Sequence, residues 1–235
     1  MANSVAVNGN DGTSIGMREE ACTRRMGILD RLRRFWGCSL LEKNESIADF
    51  YWFCKTQLYY RRFFRHIGTR SKLLAPLRLK NVHHISIGDN VLVNKHAFLL
   101  TVALPGRPIP RLAINDGCVI GHMNHITCVN EVSIGIKVLT ADGVHISDNS
   151  HMFMDSTRAI VDQSIESKGK VSIGEGSWIG ENASVLSCNI GKHCVIGANA
   201  VVITDIPDYC VAVGIPARVV RRFNQLTGSW DRVRA

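Results

Sequence analysis

The chain has 235 residues, 46% hydrophobic and 20% charged, a composition that supports a sizeable core without disulfides or metals and excludes a fibrous or disordered protein. Twenty-eight Lys and Arg against 20 Asp and Glu leave a net charge of +8, which calls for an anionic ligand or partner without naming it. The polar start (Asn3, Asn8, Asn10, Asp11) lacks the apolar segment of a secretory signal, no run is long enough to span a bilayer, and none of the eight cysteines sits in a CxxC pair. The reading is a cytoplasmic protein with reduced thiols and no metal site.

Residues 1–40 read as a flexible basic arm, carrying Arg24, Arg25, Arg31, Arg33 and Arg34, within which Met26–Trp36 offers a short helix. Residues 41–80 read as a helical cap segment. Ile47, Phe50, Tyr51, Cys54, Leu58, Tyr59 and Phe63 recur at helical spacing, with Lys55, Arg61, Arg62 and Arg65 between them. Two roles suit it: covering the open end of the neighbouring repeat, and resting on the inner face of a membrane, where basic and aromatic residues suit anionic lipid.

Residues 81–223 carry a hexapeptide repeat, which begins near Ile85. Its clearest units are Ile87-Gly88, Val93-Asn94, Ile114-Asn115, Ile120-Gly121, Ile134-Gly135, Thr140-Ala141, Ile146-Ser147, Ile173-Gly174, Ile179-Gly180, Ile190-Gly191 and Ile196-Gly197. An aliphatic first residue points inward and stacks on its copies, and a small second residue begins a corner. Asp, Asn or Gly follows, since these tolerate tight turns. The fifth position is small to medium: Val91, Cys118, Val138, Val144, Ser177, Ala183, Cys194 and Ala200. Three hexads close one triangular turn, and the fold class is mainly β: a parallel β-helix with an N-terminal helical segment and extruded loops. The repeat breaks at Val102–Arg111 and at Ser150–Lys170, and the step from Val185 to Ile190 is one residue short. Loops extruded from a rigid scaffold are where binding and catalysis concentrate. Residues 224–235 read as a C-terminal tail.

The stretch VSIGEGSWIGENASVLSCNIGKHCVIGANAVVITDIPDYCVAVGIPARVV (171–220), together with ISDNSH (146–151), resembles the hexapeptide-repeat acyltransferases. More narrowly it is similar to the galactoside and maltose O-acetyltransferases and to the sugar O-acetyltransferases of surface-polysaccharide synthesis, over roughly residues 55–223. The resemblance implies a left-handed coil, a homotrimer with active sites between subunits, and acetyl-CoA as donor. It implies an acetyl transfer to a sugar hydroxyl.

That reaction needs a group to take the hydroxyl proton, and histidine titrates in the range that suits the task. His151 opens the long loop and matches the family's catalytic histidine. Asp148 and Asn149 precede it, as orienting, acceptor-binding or corner residues. Asn124 and Asn130 lie in the preceding coil, where the family places polar acceptor ligands. On the donor side, Trp178 in SWIG matches the tryptophan beside the CoA arm, and Gly197 and Ala198 match the small residues along the pantetheine. Arg218 and Arg221 in PARVVR match the basic pair that meets the phosphates, charge-assisted contacts to which arginine is suited. Thr204 stands where the family often has lysine, and Lys192 is an alternative phosphate contact.

Three other readings remain open at the level of sequence. The acceptor could be an amino sugar, a serine or an antibiotic. His122, His125, His145 and His151 supply imidazoles enough for a γ-type carbonic anhydrase, with spacing that does not fit well. A coil without catalysis could serve as a scaffold. Nucleic-acid binding would rest on charge alone.

Overall fold

The computed structural model describes residues 39–233, so the expected Met26–Trp36 helix and the arginines beside it lie outside the described residues. The chain divides into two compact units, 1–48 and 49–235, and the second holds all the described strands.

Three parallel sheets make the faces of a β-helix. The first holds His66–Ile67, Ile85–Ile87, Arg111–Ile114, Glu131–Ile134, Lys170–Ile173 and Asn189–Ile190. The second holds Lys72–Leu73, Leu92–Val93, Val119–Ile120, Leu139–Thr140, Trp178–Ile179, Val195–Ile196 and Cys210–Val213. The third holds Arg78–Lys80, Phe98–Thr101, His125–Cys128, His145–Ser147, Ser184–Leu186 and Val201–Val202.

The first hexad position lines the interior as the repeat requires. Ile87, Ile114, Ile134, Ile173 and Ile190 stack in register on the first face, each at most 2% exposed. Val93, Ile120, Thr140, Ile179 and Ile196 do so on the second face, and Leu99, Ile126, Ile146, Val185 and Val202 on the third. Each such aliphatic side chain contributes about 2 kcal/mol of transfer free energy. All eight fifth-position residues are buried as well. The corner residues Asn90, Asn182, Asn199, Gly117 and Gly143 take positive φ, between 54° and 69°, a conformation these residue types adopt at least cost.

Two boundaries and the turn length differ from what the sequence suggests. The coil begins at His66, one turn before Ile85, so the helical part of the expected 41–80 segment stops at Arg62. Turns are not uniformly three hexads. Bonds between neighbouring turns span 20 residues early (Thr69 N–H to Asp89) and 17 or 16 later (Cys194 N–H to Ser177, Lys192 N–H to Asp208). The extra length sits in the corner after the third face, where Ile126 and Cys128 both face inward before the chain reaches Val132. Finally, the expected tail is structured: Arg218–Asn224 turns back antiparallel on Cys210–Val213, and Ser229–Arg232 pairs with it in turn.

Helix α1, Leu40–Leu58, bonds to the first turn of the coil through its last residues. Thr56 is fully buried and its hydroxyl accepts the Leu73 N–H at 3.0 Å. Gln57 donates to the Gly68 and Ser71 carbonyls at 3.1 and 2.9 Å. These bonds satisfy edge groups of the first turn that would otherwise be open to pairing. The outward side keeps Phe50, Tyr51, Leu58 and Tyr59 exposed, followed by exposed Phe63. Lys55 lies over the rings of Tyr51, Trp52 and Tyr60, at 5.7, 4.6 and 5.5 Å from their centroids.

Candidate active site

The long interruption is an ordered hairpin rather than a plain loop. Asn149–His151 pairs antiparallel with Ile165–Ser167, placing His151 opposite Ile165. Residues 152–162 are all exposed, and Met152, Phe153, Met154, Ile160 and Val161 present apolar side chains there. Gln163, 9% exposed, holds this loop from inside by donating to the Asp155 and Arg158 carbonyls at 2.8 and 3.1 Å. His151 is exposed at the end of its strand, where a solute can reach the ring.

The polar residues expected around it separate into two kinds. Asn149 is half-buried and donates to Asp148 Oδ1 at 3.0 Å and to Thr127 Oγ1 at 3.4 Å. Asn130 is half-buried too, its amide donating to the Gly169 carbonyl at 3.0 Å, on the return side of the hairpin. Asn124 and Asp148, by contrast, have no exposed surface. Asn124 donates to the His122 and Ala141 carbonyls at 3.2 and 2.7 Å, an inward corner contact. Asp148 accepts backbone N–H groups of the preceding turn. Within this chain neither side chain faces an acceptor; both are spent on the coil.

The third face carries an ordered row that spacing alone does not reveal. Arg78, Phe98, His125, His145 and Ser184 are in transverse register. The Arg78 guanidinium lies 5.5 Å from the Phe98 centroid, Phe98 meets His125 edge-on at 4.2 Å, and His125 stacks on His145 at 5.2 Å. Burial lowers the pKa of His125, and burial together with the neighbouring His125 lowers that of His145. Hydroxyls of Thr127 and Ser147, 3.1 Å apart, form the adjacent row. His122 instead pairs with Asp142 at 3.2 Å.

The expected donor residues gather on the second face and its C-terminal extension. Trp178, 47% exposed, lies between Leu139 and Val195. The same outward row continues through Val211 to Arg221, three strands from Trp178, about 14 Å away at the usual strand spacing. An irregularity in the pairing leaves Val220 without a register partner on Cys210–Val213, so Arg218 and Arg221 sit opposite Val213 and Val211 on one side of the sheet. Both arginines are exposed. Sequence reasoning missed Arg232, which faces Arg221 directly across the last strand pair. Like charges so placed repel, which favours an anion beside them. Gly197 packs against Val213: a Cβ there would meet Val213 Cγ1 at 2.7 Å, and the valine would have to move. Ala198 is exposed next to it.

Four of the six described cysteines, Cys118, Cys128, Cys188 and Cys194, are poor nucleophiles. Cys118, Cys128, Cys188, Cys194 and Cys210 are buried. Burial pushes the thiols of Cys118 and Cys188 up to about 11 and raises Cys128 and Cys194 as well.

No family model matches the chain. It is 45% identical over 121 residues to a Mycobacterium tuberculosis protein named as a probable acetyltransferase, an alignment covering 51% of this chain and 39% of that relative's length. It is 29% identical over 199 residues to an Escherichia coli protein provisionally named as a lipopolysaccharide-biosynthesis O-acetyltransferase, covering 82% of this chain and 97% of the relative. The galactoside O-acetyltransferase of Escherichia coli is 33% identical over 108 residues, 43% of this chain and 49% of that one. Among solved structures, a mutant N-acyltransferase from Bacillus cereus, in complex with dTDP and coenzyme A, superposes with a TM-score of 0.60 at 17% identity, covering 73% of this chain and 91% of the other. In repeat, coil and likeness, the chain has a left-handed β-helix fold of hexapeptide repeats, the fold shared with that solved N-acyltransferase.

Proposed function

We propose that the protein is an acetyl-CoA-dependent acetyltransferase acting on a sugar hydroxyl, with His151 as general base, in the synthesis of a surface polysaccharide. The observation that carries this is His151 itself: an exposed imidazole at the end of an ordered hairpin, on a coil whose relatives are named as acetyltransferases. The acceptor O–H gives its proton to the imidazole as its oxygen bonds to the thioester carbonyl carbon. The tetrahedral oxyanion then collapses, the C–S bond breaks, and the CoA thiolate takes up a proton.

Trp178, Ala198, Arg218 and Arg221 provide the donor surface, with Trp178 beside the pantetheine arm and the arginines on the phosphates; Asn130 and Asn149 flank the acceptor. His151 leaves the coil after the third face while Trp178 and Arg221 lie on the second. This separation supports a homotrimer in which the base of one subunit meets the donor surface of another. The N-acyltransferase likeness favours one second reading, transfer to an amino sugar. Release of free thiol from acetyl-CoA with matched hydroxyl and amino sugar acceptors tests both. Thiol release with the hydroxyl sugars is expected; release with the amino sugars alone moves the assignment to N-acylation, and none with either removes it.

Two further expectations concern partners. Arg221→Gln raises KM for acetyl-CoA about tenfold with kcat held, since one charge-assisted phosphate contact is lost; an unchanged KM removes Arg221 from the donor site. The exposed Phe50, Leu58, Tyr59 and Phe63 with Arg61, Arg62 and Arg65 suit an anionic bilayer surface, where a lipid-linked acceptor would lie. No described helix is long and apolar enough to cross a membrane. The full chain is therefore expected to sediment with anionic phospholipid vesicles and less with zwitterionic ones, and a Phe50→Ser, Phe63→Ser double variant to lose that preference. Equal sedimentation with both vesicle types would argue against a membrane role.

A further inference from the structure

Aspartates recur at the corners of this coil, and each reaches back to the turn before it. Asp89, Asp116, Asp142, Asp205 and Asp208 accept one backbone N–H apiece, from Thr69, Asp89, His122, Asn189 and Lys192. All five are at least partly exposed. Asp148 departs from the set in both respects. It is fully buried, and it accepts three consecutive N–H groups: Val129 on Oδ1 at 2.8 Å, and Asn130 and Glu131 on Oδ2 at 2.7 and 2.8 Å. The Asn149 amide adds a fourth donor on Oδ1 at 3.0 Å.

An ordinary corner does not need this much. Asp148 stands at the one corner from which the hairpin leaves, three residues before His151. Its own carbonyl accepts the Lys168 N–H at 2.9 Å, closing the base of the hairpin one pair below Asn149 and Ser167. The residue therefore holds both the coil corner, through its side chain, and the hairpin base, through its backbone. Asn130, fixed by Asp148 at its N–H, reaches the Gly169 carbonyl on the return side. Ser147 completes the ring, accepting from Thr127 at 3.1 Å and donating to the Asn149 carbonyl at 3.0 Å. The His151 side chain is exposed and lies beyond this framework, so the direction in which its ring points is set by the strand that the framework anchors.

We propose that Asp148 is a positioning residue for His151: a buried carboxylate that fixes the hairpin base, and so the place of the imidazole, without touching substrate. This rests on His151 being the general base. A carboxylate accepts on both oxygens, whereas an amide accepts on one and donates from the other. Asp148→Asn therefore sets an NH₂ group against at least one backbone donor at nearly unchanged volume.

The test measures thiol release by the full chain for wild type, His151→Ala, Asp148→Asn and the double variant, with hydrogen exchange of the amides of residues 129–131 and 165–168. Asp148→Asn is expected to lower kcat about 10²-fold, the cost of a small misplacement, with KM for acetyl-CoA held within about twofold. In the His151→Ala background it should cost no more than about twofold further, because the group it positions is gone. An equal further loss in that background, or a kcat within about threefold of wild type, overturns the proposal. If Asp148→Asn does not fold, Ser147→Ala answers the same question: a kcat loss of about threefold to tenfold that vanishes in the His151→Ala background supports the framework, and a loss that persists there overturns it. If His151→Ala itself turns over like wild type, the base assignment falls and this proposal with it. If His151→Ala is inactive while Asp148→Asn is normal, the positioning role alone falls.

Discussion

His151→Ala is expected to lower kcat for acetyl transfer by about 10²–10⁴-fold, the range that a positioned general base contributes. KM for acetyl-CoA should hold, because the donor contacts proposed at Trp178, Arg218 and Arg221 lie on another face of the coil. Stability should also hold, within about 0.5 kcal/mol, because His151 is exposed at the end of a strand and its ring packs into no core. The three readouts together separate a base from a structural residue: a melting temperature that fell with activity would point to hairpin collapse, and an unchanged kcat would move the proton acceptor elsewhere. Two other imidazoles, His125 and His145, stack on the third face, from which the His151 hairpin leaves, with pKa values lowered by burial. Their outward row leads to the Thr127 and Ser147 hydroxyls beside the hairpin base. If His151→Ala retained turnover, His125→Ala is the next variant to make.

How much of the fold is legible in the sequence depends on where each signal originates. The interior of the coil has one chemistry repeated at each level, so Ile114, Ile134 and Ile173 announce themselves by spacing alone. The first turn obeys the same spacing, with Ile67, Leu73 and Leu79 six apart, and Gly68 and Asn81 are corner residues of the usual kind, but two of its positive-φ positions, Arg70 and Ala75, are not. Arg70, not Asn, Asp or Gly, takes the positive φ of 59° at its corner, and Pro76 interrupts the next hexad. Turn length is hidden because the added residues sit in a corner, and corner residues are chosen for backbone tolerance rather than periodicity. The C-terminal hairpin is hidden because its pairing depends on an irregularity at Val220 that has no composition of its own.

The site is legible in its protruding parts and illegible in its internal ones. His151 and Trp178 stand in short motifs and are exposed as a reactive or contacting group must be. Asn124 and Asp148 are polar residues close to them in the chain, and sequence proximity makes them look like ligands of the acceptor. Their direction is decided by which side of a corner each Cβ leaves from, and that depends on a turn length that the repeat does not reveal. Both are buried: backbone N–H groups meet both oxygens of Asp148, and backbone carbonyls meet the Asn124 amide nitrogen but leave its oxygen unpartnered.

The coil's tolerance to substitution should be lowest at the glycines that begin its corners, and Gly174→Ala is a sharp case. A Cβ at Gly174 would lie 2.4 Å from the Gly191 carbonyl carbon and 2.5 Å from the Lys192 nitrogen. These are backbone atoms of the next turn, and they are fixed from both sides. Gly174 donates to the Ile190 carbonyl at 2.7 Å, Gly191 donates to the Ile206 carbonyl at 2.8 Å, and the Lys192 N–H is held by Asp208 at 2.8 Å. A single methyl therefore cannot be absorbed by a rotamer change; it must separate two turns that hydrogen bonds hold together. Overpacking of this kind costs about 3 kcal/mol, or roughly 6–12 °C in melting temperature for a unit of this size. Gly228→Ala is the matched control, since nothing lies within 4 Å of a Cβ there; its positive φ of 66° limits the expected loss to about 1 kcal/mol. Thermal unfolding of the two variants beside wild type decides the matter. A Gly174→Ala protein that melts with wild type, or no lower than Gly228→Ala, would mean that the turns can part locally at little cost and that the coil is less rigid than its bonding implies.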